Sequence, residues 1–226
     1  MSWILGIDTS SVELGIGLIK DGENVSSFSR YVRNSHAESI AAGIGFILKN
    51  ARVASQDIEK IAVAVGPGSF TGLRIGISFV KGFCLDTPTA ILPVSSLESV
   101  AIGSNIRNQP VVIAFDARRN NIFWARFRVD TNACIRETAD TCSPVDEFKS
   151  AITERDVVIT DTLGYTKSMV FDFLKKRDPA YSVDEYPIQR GLACARKALY
   201  SSGHAESFTK IDDLSPRYLT KAYAGT

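Results

Sequence analysis

An internal repeat in the apolar pattern is the feature that most constrains the fold of this chain. In each half an apolar run ends in an aspartate, Asp8 in the first and Asp116 in the second, and a turn, a strand, a second turn and another strand follow. The two aspartates lie about half a chain length apart, as a duplicated fold requires. We therefore expect two domains, residues 1–105 and residues 106–226, which meet at the polar stretch Asn105–Gln109.

The first half has the periodicity of a three-strand meander followed by alternating helices and strands. The letters "KDGE", at residues 20–23, predict a hairpin turn between the second and third strands. Ser35 followed by Glu38 predicts the start of the first helix, and Ser95 followed by Glu98 predicts the start of the third. The predicted elements are strands at Trp3–Ile7, Leu14–Ile19, Val25–Tyr31, Ile61–Val65 and Ala90–Pro93, and helices at Ser35–Ala51 and Leu73–Leu85, the first with an apolar stripe of Ala37, Ile40, Ala41, Ile44, Ile47, Leu48 and Ala51.

The second half repeats the strand order of the first and ends in two helical patterns. Strand, hairpin, strand, helix, strand, helix, strand, twice over, is the plan of the ribonuclease-H-like domain pair of actin, sugar kinases and the seventy-kilodalton chaperones. The predicted fold class is therefore α/β, with two such domains, each a mixed sheet flanked by helices, the second smaller and degenerate. The predicted elements of this half are strands at Pro110–Asp116, Ile122–Val129, Ala133–Thr138 and Val157–Thr160, and helices around Thr166–Lys176 and Leu192–Ser201.

Composition and charge indicate a globular protein and disfavour a chain that binds nucleic acid or membranes through its overall charge. Of the 226 residues, 45% are hydrophobic, which is typical of a globular protein with a core. The 26 Lys and Arg residues against 25 Asp and Glu residues give a net charge of +1, so a role with RNA requires a local patch or a partner. The four cysteines lack metal-ligand spacing, and the N-terminus lacks a signal or membrane pattern. We expect a cytoplasmic protein with reduced thiols.

The stretch "GPGSFTGLRIG", Gly66–Gly76, has the layout of a nucleotide-binding loop but fails both tests for one. A Walker loop needs Lys and then Ser or Thr after its last glycine, whereas Leu73 follows Gly72. A dinucleotide fingerprint needs a glycine where Thr71 stands. Two interpretations remain: an anion held at the helix N-terminus, and glycines that supply positive φ angles and, at Gly72, Gly76 and Gly82, let a neighbouring helix come close. Because a glycine inside a helix costs about 0.5–1 kcal/mol, the sequence favours close packing.

The triplet Asp8, Thr9 and Ser10 follows the first strand, at the place where ribonuclease-H-like proteins meet a metal-bound phosphate. An aspartate that caps its own turn is a commoner reason for such a triplet. These three residues, together with Gly68 and Ser69, are the candidate contacts for an anion or a nucleotide.

Three motifs together closely resemble the bacterial TsaB family, also called YeaZ: "GIDTS" near the N-terminus, "GPGSFTGLRIG" at Gly66–Gly76 and "DARRNNIFWA" at Asp116–Ala125. The resemblance runs over nearly the whole chain. It implies an actin-like plan and a place in the machinery that makes threonylcarbamoyladenosine beside the tRNA anticodon, as a non-catalytic paralogue of the catalytic subunit TsaD. It also implies TsaD-type and TsaE-type partners, indirect contact with tRNA, and no cofactor bound by the chain alone, with ATP or ADP left open at the complex interface.

The residues themselves also indicate a chain that does not catalyse the transfer. The catalytic paralogue holds a metal with two histidines four residues apart, whereas here Ile40 stands at that spacing from His36. The other histidine, His204, lies far along the chain. In the second half, Arg118 and Arg119 stand where a kinase-like phosphate loop has glycines. We therefore expect no metal site and no catalytic residue.

The first two helices are the predicted partner-binding surface, because each carries apolar and small residues on more than one face. The alternative is a helix pair buried on both sides within its own domain. Two other functions stay open: an actin-like ATPase or small-molecule kinase acting alone through Asp8, Thr9 and Asp116, and a metallopeptidase, which the histidine count disfavours. A homodimer through the same face is a further expectation. The predicted partner-binding residues are Ala42, Gly43, Gly45, Phe46, Ile75, Gly76, Phe79 and Phe83.

Overall fold

The strands build two mixed β-sheets, one from each half of the chain. The computed structural model describes residues 2–32, 36–104, 106–131, 133–160, 188–201 and 208–219. The first sheet contains β1 Trp3–Asp8, β2 Glu13–Lys20, β3 Glu23–Tyr31, β4 Ile58–Gly66 and β5 Ala90–Ser95. Its order is β3-β2-β1-β4-β5, in which β1, β2 and β3 are antiparallel neighbours and β4 and β5 run parallel to β1.

Three helices alternate with the later strands of the first half: α1 His36–Ala51, α2 Phe70–Phe83 and α3 Ser96–Gly103. The predicted start of α3 is confirmed, since the side chain of Ser95 accepts the N–H of Glu98 at 3.3 Å. The predicted cap of α1, Ser35, lies outside the described residues. None of the described helices is long and apolar enough to cross a membrane.

Helix α2 begins earlier than the predicted Leu73. The side chain of Ser69 accepts the N–H of Gly72 at 3.2 Å, which satisfies one of the free donors of the first turn and places the helix start at Phe70. The glycine loop is therefore shorter than expected, because part of its glycine run lies inside the helix.

The second sheet repeats the order of the first. Its strands are β6 Pro110–Asp116, β7 Asn121–Val129, β8 Cys134–Arg136, β9 Thr141–Pro144 and β10 Val157–Thr160. The order β8-β7-β6-β10 repeats the order β3-β2-β1-β4, with the same antiparallel hairpin and the same parallel fourth strand. The predicted repeat and the predicted pair of mixed sheets flanked by helices are thereby confirmed.

Two elements of the second half were not expected from the sequence. Strand β9 pairs with β7 and leads into a short helix, α4 Val145–Ala151. The ring of Phe148 in α4 packs edge-on against Trp124 of β7, with 5.7 Å between the ring centres. The helix predicted around Thr166–Lys176 lies outside the described residues.

Both faces of the first sheet are covered at β1, β2 and β4, which explains the long apolar runs in these three strands. Helices α1 and α2 cover one face, and the other is covered by α5, Arg190–Tyr200, from the far end of the chain. Glycines in the strands let α5 approach: a Cβ atom at Gly6 would stand less than 3.0 Å from the carbonyl oxygen of Gly191, and one at Gly17 equally close to the backbone of Leu192. The division at residue 105 stays a prediction, and α5 packs on the sheet of the first half.

Residues 208–219, here called the C-terminal strap, run from the first sheet to the second. Arg217 donates its N–H to the carbonyl oxygen of Val65 at 2.7 Å, and Leu214 is buried in the core of the first sheet. Leu219 packs against the core of the second sheet. The strap therefore joins the two sheets beside the glycine loop.

Candidate functional site

The turn between β1 and β2 contains the triplet predicted to contact a phosphate, and all three of its residues are buried. One oxygen of the Asp8 carboxylate accepts hydrogen bonds from the N–H of Ser10 at 2.8 Å and from its hydroxyl at 2.6 Å. The other oxygen accepts the hydroxyl of Ser99, on α3, at 3.2 Å. Asp8 therefore caps its own turn and ties that turn to α3.

The glycine loop packs directly on this turn. The N–H of Ser69 donates to the carbonyl oxygen of Ser10 at 2.7 Å. A Cβ atom at Gly68 would stand less than 3.0 Å from the same oxygen, and one at Gly72 equally close to the carbonyl oxygen of Thr9. Three N–H groups at this helix N-terminus, those of Ser69, Gly72 and Leu73, already donate to oxygens of the protein. Gly68 and Gly72 therefore pack against the β1–β2 turn and not against a neighbouring helix, which the sequence had favoured. The contact with an anion or a nucleotide stays a prediction.

The hydroxyl of Thr9 is buried and has no hydrogen-bond partner among the described residues. It faces Gly76 of α2, where a Cβ atom would stand less than 3.0 Å from the hydroxyl oxygen. The hydroxyl therefore points at a helix of its own domain and not into an open site.

Arg190, the first residue of α5, closes the space between the two sheets. Its side chain is buried, and its Nη1 lies 3.5 Å from the Ser10 hydroxyl. Its guanidinium stands 4.9 Å from the ring centre of Phe115, in β6. Arginine keeps its positive charge at neutral pH. A cation of the chain itself therefore lies beside the β1–β2 turn, which was predicted to contact a phosphate. Sequence reasoning missed Arg190, although the pair Gly15 and Gly17 in β2 was a signal that another element approaches there.

The matching turn of the second half, between β6 and β7, presents two arginines. Asp116 accepts the N–H of Arg118 at 2.7 Å. Arg118, Arg119 and Asn120 have φ angles of 62°, 50° and 62°, a left-handed conformation that is uncommon without glycine. The side chain of Asn121 donates to the carbonyl oxygens of Arg118 and Arg119, at 3.4 and 3.0 Å, and holds the turn. Both arginine side chains are exposed.

Six of the predicted partner-binding residues stay at least partly exposed on α1 and α2, which pack side by side. Phe46 is 55% exposed, and its ring centre lies 6.3 Å from that of Phe28. The ring centres of Phe79 and Phe83 lie 5.9 Å apart, and both residues are half-buried. We call this set the helix-pair surface, namely Ala42, Gly45, Phe46, Ile75, Phe79 and Phe83.

The other two predicted residues, Gly43 and Gly76, do not lie on the helix-pair surface. A Cβ atom at Gly43 would stand less than 3.0 Å from the side chains of Ile16 and Phe28, and Gly76 faces Thr9. The prediction that these two glycines lie on a free face is wrong, because they let α1 and α2 approach their own sheet.

The described part of the chain offers little evidence for a metal site or a reactive cysteine. There, no group of three or more His, Cys, Asp or Glu side chains could hold a metal ion. Burial raises the pKa of the Cys84 thiol to about 11, so this thiol is protonated at neutral pH and is a poor nucleophile. His36 begins α1, and His204 lies outside the described residues.

Two curated relatives carry the same description, tRNA threonylcarbamoyladenosine biosynthesis protein TsaB. The one from Bacillus subtilis strain 168 is 29% identical over 153 residues, which cover 68% of this chain and 67% of that protein. The one from Escherichia coli strain K12 is 34% identical over 131 residues, which cover 57% of this chain and 56% of that protein. The matched region thus spans between about half and two thirds of these relatives.

The chain is also similar to a solved structure and to a protein family. YeaZ from Pseudomonas aeruginosa superposes with a TM-score of 0.76 at 23% identity, covering 97% of this chain and 100% of that chain, and so has the same fold. Residues 30–200 match the family described as TsaD, tRNA N6-adenosine threonylcarbamoyltransferase. The chain therefore belongs to the TsaD family, and its relatives within that family are the TsaB (YeaZ) proteins.

Proposed function

We propose that this chain is a non-catalytic subunit that binds a TsaD-type catalytic paralogue and is needed with it for threonylcarbamoyl transfer to the tRNA adenosine beside the anticodon. The description of its relatives as threonylcarbamoyladenosine biosynthesis proteins supports the reaction. In this proposal the complex works in the cytoplasm, a TsaE-type ATPase joins it, and tRNA reaches the chain through the complex. When the paralogue is absent, two copies of the chain pair through the helix-pair surface.

The observation that carries the partner role is the helix-pair surface, and within it the pair Gly45 and Phe46. Gly45 lies in the middle of α1, is exposed, and has no atom within 4 Å of the place of a Cβ. In the isolated chain this glycine lowers helix stability by roughly 0.5–1 kcal/mol and serves no internal packing. A second helix that approaches the backbone at Gly45 would supply the reason for it. The exposed ring of Phe46 would then be the aromatic anchor of the contact.

The packing of the glycine loop against the β1–β2 turn supports the proposal that this chain alone does not hydrolyse ATP. Because Gly68 and Gly72 pack on Ser10 and Thr9, a phosphate could enter only if α2 separated from the β1–β2 turn. Any ATP or ADP in the complex would then bind at the shared interface and not in this loop. We expect no ATP turnover by the pure chain. Robust turnover that disappears in Asp8→Ala would instead support an actin-like ATPase or kinase acting alone.

Calorimetric titration of this chain with the TsaD-type paralogue of its own organism tests the proposal. Phe46→Asp should weaken association by thirty-fold or more, because loss of a central anchor costs about 2 kcal/mol or more. Ile135→Asp is the matched control, since Ile135 is 54% exposed but lies on β8, away from the helix-pair surface. It should bind like the wild type. Tight binding by a folded Phe46→Asp variant would reject this interface, and no binding by the wild type would reject the partner role.

A further inference from the structure

An aromatic pair and an arginine form a stack where the C-terminal strap passes the start of α2. The rings of Phe70 and Tyr218 are stacked, with 5.0 Å between their centres and 28° between their planes. The guanidinium of Arg74 lies 3.9 Å from the ring centre of Phe70, and its Nε donates to the Tyr218 hydroxyl at 3.1 Å. Tyr218 nevertheless remains 40% exposed. The stack is therefore held in place and open to solvent.

Strap residues next to this stack also contact β7, the strand that follows the β6–β7 turn with Arg118 and Arg119. Arg217, Tyr218 and Leu219 line a small crevice with Phe123 of β7. Leu219 belongs to the same apolar cluster as Ala117, the residue before Arg118. Phe123 lies three residues beyond the turn, about 10 Å at roughly 3.3 Å per residue. The crevice thus places Arg217 and Tyr218 beside Phe123, and Phe123 is three residues from the turn that carries Arg118 and Arg119. We call the four exposed arginines Arg74, Arg118, Arg119 and Arg217, together with Phe70 and Tyr218, the arginine patch.

The charges of the arginine patch are not neutralised by the described part of the chain. None of its four arginines forms an ion pair with another described residue, whereas Arg126 and Arg136 do. The nearest acid in sequence, Asp116, accepts the backbone N–H of Arg118 and forms no ion pair with a described arginine, and its single charge offsets only one of the four. The exposed acids of the strap, Asp212 and Asp213, lie in its middle, at least four residues before Arg217 in the sequence, and the Asp212 carbonyl oxygen accepts a hydrogen bond from Lys81. A chain with a net charge of only +1 therefore has a local positive surface.

We infer that the arginine patch binds RNA directly, with its arginines on backbone phosphates and Tyr218 against an unpaired base. Arginine matches phosphate with two parallel hydrogen bonds, and aromatic side chains stack on bases in single-stranded RNA. An acidic protein would bind through the arginine charges and would not need an exposed aromatic ring. Because the patch has both, it favours RNA over an acidic protein. The inference rests on the proposed role in tRNA modification and deepens it, because tRNA then touches this subunit itself.

Fluorescence anisotropy with the full chain and a labelled, unmodified tRNA transcript tests the inference over a series of salt concentrations. The double variant Arg118→Glu and Arg119→Glu should weaken binding at least tenfold. The slope of log Kd against log salt should fall by roughly 0.7 for each phosphate that the variant no longer neutralises. The double variant Arg30→Glu and Arg155→Glu makes the same change in charge at exposed arginines on β3 and before β10, and should bind like the wild type. Tyr218→Leu should weaken binding several-fold without a change in slope.

Several results would overturn the inference. One is an equal weakening of tRNA binding in the control double variant. Another is displacement of the tRNA by polyglutamate as readily as by unlabelled tRNA, which would indicate an acidic-protein surface. A third result combines two measurements. The wild-type chain alone does not bind tRNA, and the paralogue complex binds tRNA equally well with the wild-type chain and with the Arg118→Glu and Arg119→Glu variant. Calorimetry with the paralogue separates the two proposals, because a failed partner role abolishes paralogue binding and leaves patch-dependent tRNA binding intact.

Discussion

Gly72 lies directly against the carbonyl oxygen of Thr9, so close that a Cβ atom at residue 72 would stand less than 3.0 Å from that oxygen. This packing joins the first turn of α2 to the β1–β2 turn and leaves no room for an anion between them. A motif with the layout of a phosphate loop is thus used to pack two backbone segments together. The packing can be tested through the stability of the isolated chain.

Gly72→Ala should lower the free energy of unfolding by about 1–2 kcal/mol, because overpacking against a backbone oxygen outweighs the gain in helix propensity. Gly82→Ala is the control in the same helix, since nothing lies within 4 Å of a Cβ there. It should raise the free energy of unfolding by up to about 1 kcal/mol. Urea unfolding followed by circular dichroism measures both. Stabilisation by both changes would show that Thr9 does not pack against Gly72.

Gly45→Gln should act in opposite directions on folding and on association. In the isolated chain it should stabilise α1 by roughly 0.5–1 kcal/mol, since the side chain enters open space and replaces a helix-breaking glycine. Binding of the TsaD-type paralogue should weaken at least tenfold, because the new side chain blocks the approach of a second helix. Thermal unfolding and calorimetry give the two numbers. Unchanged affinity in a stabilised variant would remove Gly45 from the interface.

Glu98 of α3 holds together elements from both sheets. It accepts Lys197 of α5 at 2.7 Å and Arg136 of β8 at 3.2 Å, and Arg136 also pairs with Asp140. Glu98→Gln should lower the free energy of unfolding by roughly 1–3 kcal/mol, because it leaves two partly buried cations without their shared carboxylate. Glu137→Gln, in the more exposed pair with Arg128, should cost less than about 1 kcal/mol. Equal losses in urea unfolding would contradict this account.

Stability above pH 8 should depend on the buried thiol of Cys84. Burial raises its pKa to about 11, above the value of about 8.5 for a free thiol. The thiol's contribution is complete below pH 8.5 and disappears as the pH rises toward 11, because only the unfolded chain then ionises freely. The wild type should lose roughly 1–2 kcal/mol more than Cys84→Ala between pH 8 and pH 10.5 in urea unfolding. Parallel losses in the two proteins would show that Cys84 ionises freely in the folded chain.

The sequence by itself determined the repeated order of the strands and most of the local elements, although not β9 and α4. The turn at "KDGE" forms with φ of 49° at Asp21 and 93° at Gly22, and α3 starts at its predicted cap, because turns and caps depend on neighbours within four residues. The repeat of strand order was visible for the same reason, since each strand and hairpin has its own periodic pattern. The start of α2 was missed by one turn because the cap Ser69 stands inside the glycine run.

Only the tertiary structure decided which side of each glycine is covered. Gly43, Gly45 and Gly76 all stand inside helices with small and apolar neighbours, and the sequence assigned all three to a partner surface. The structure places Gly43 on Ile16 and Gly76 on Thr9, while Gly45 faces open space. Close approach is a relation between segments far apart in the chain, as with α5, which returns to the first sheet and brings Arg190 to Ser10. Local periodicity cannot encode that relation, because it records only which residues share one element.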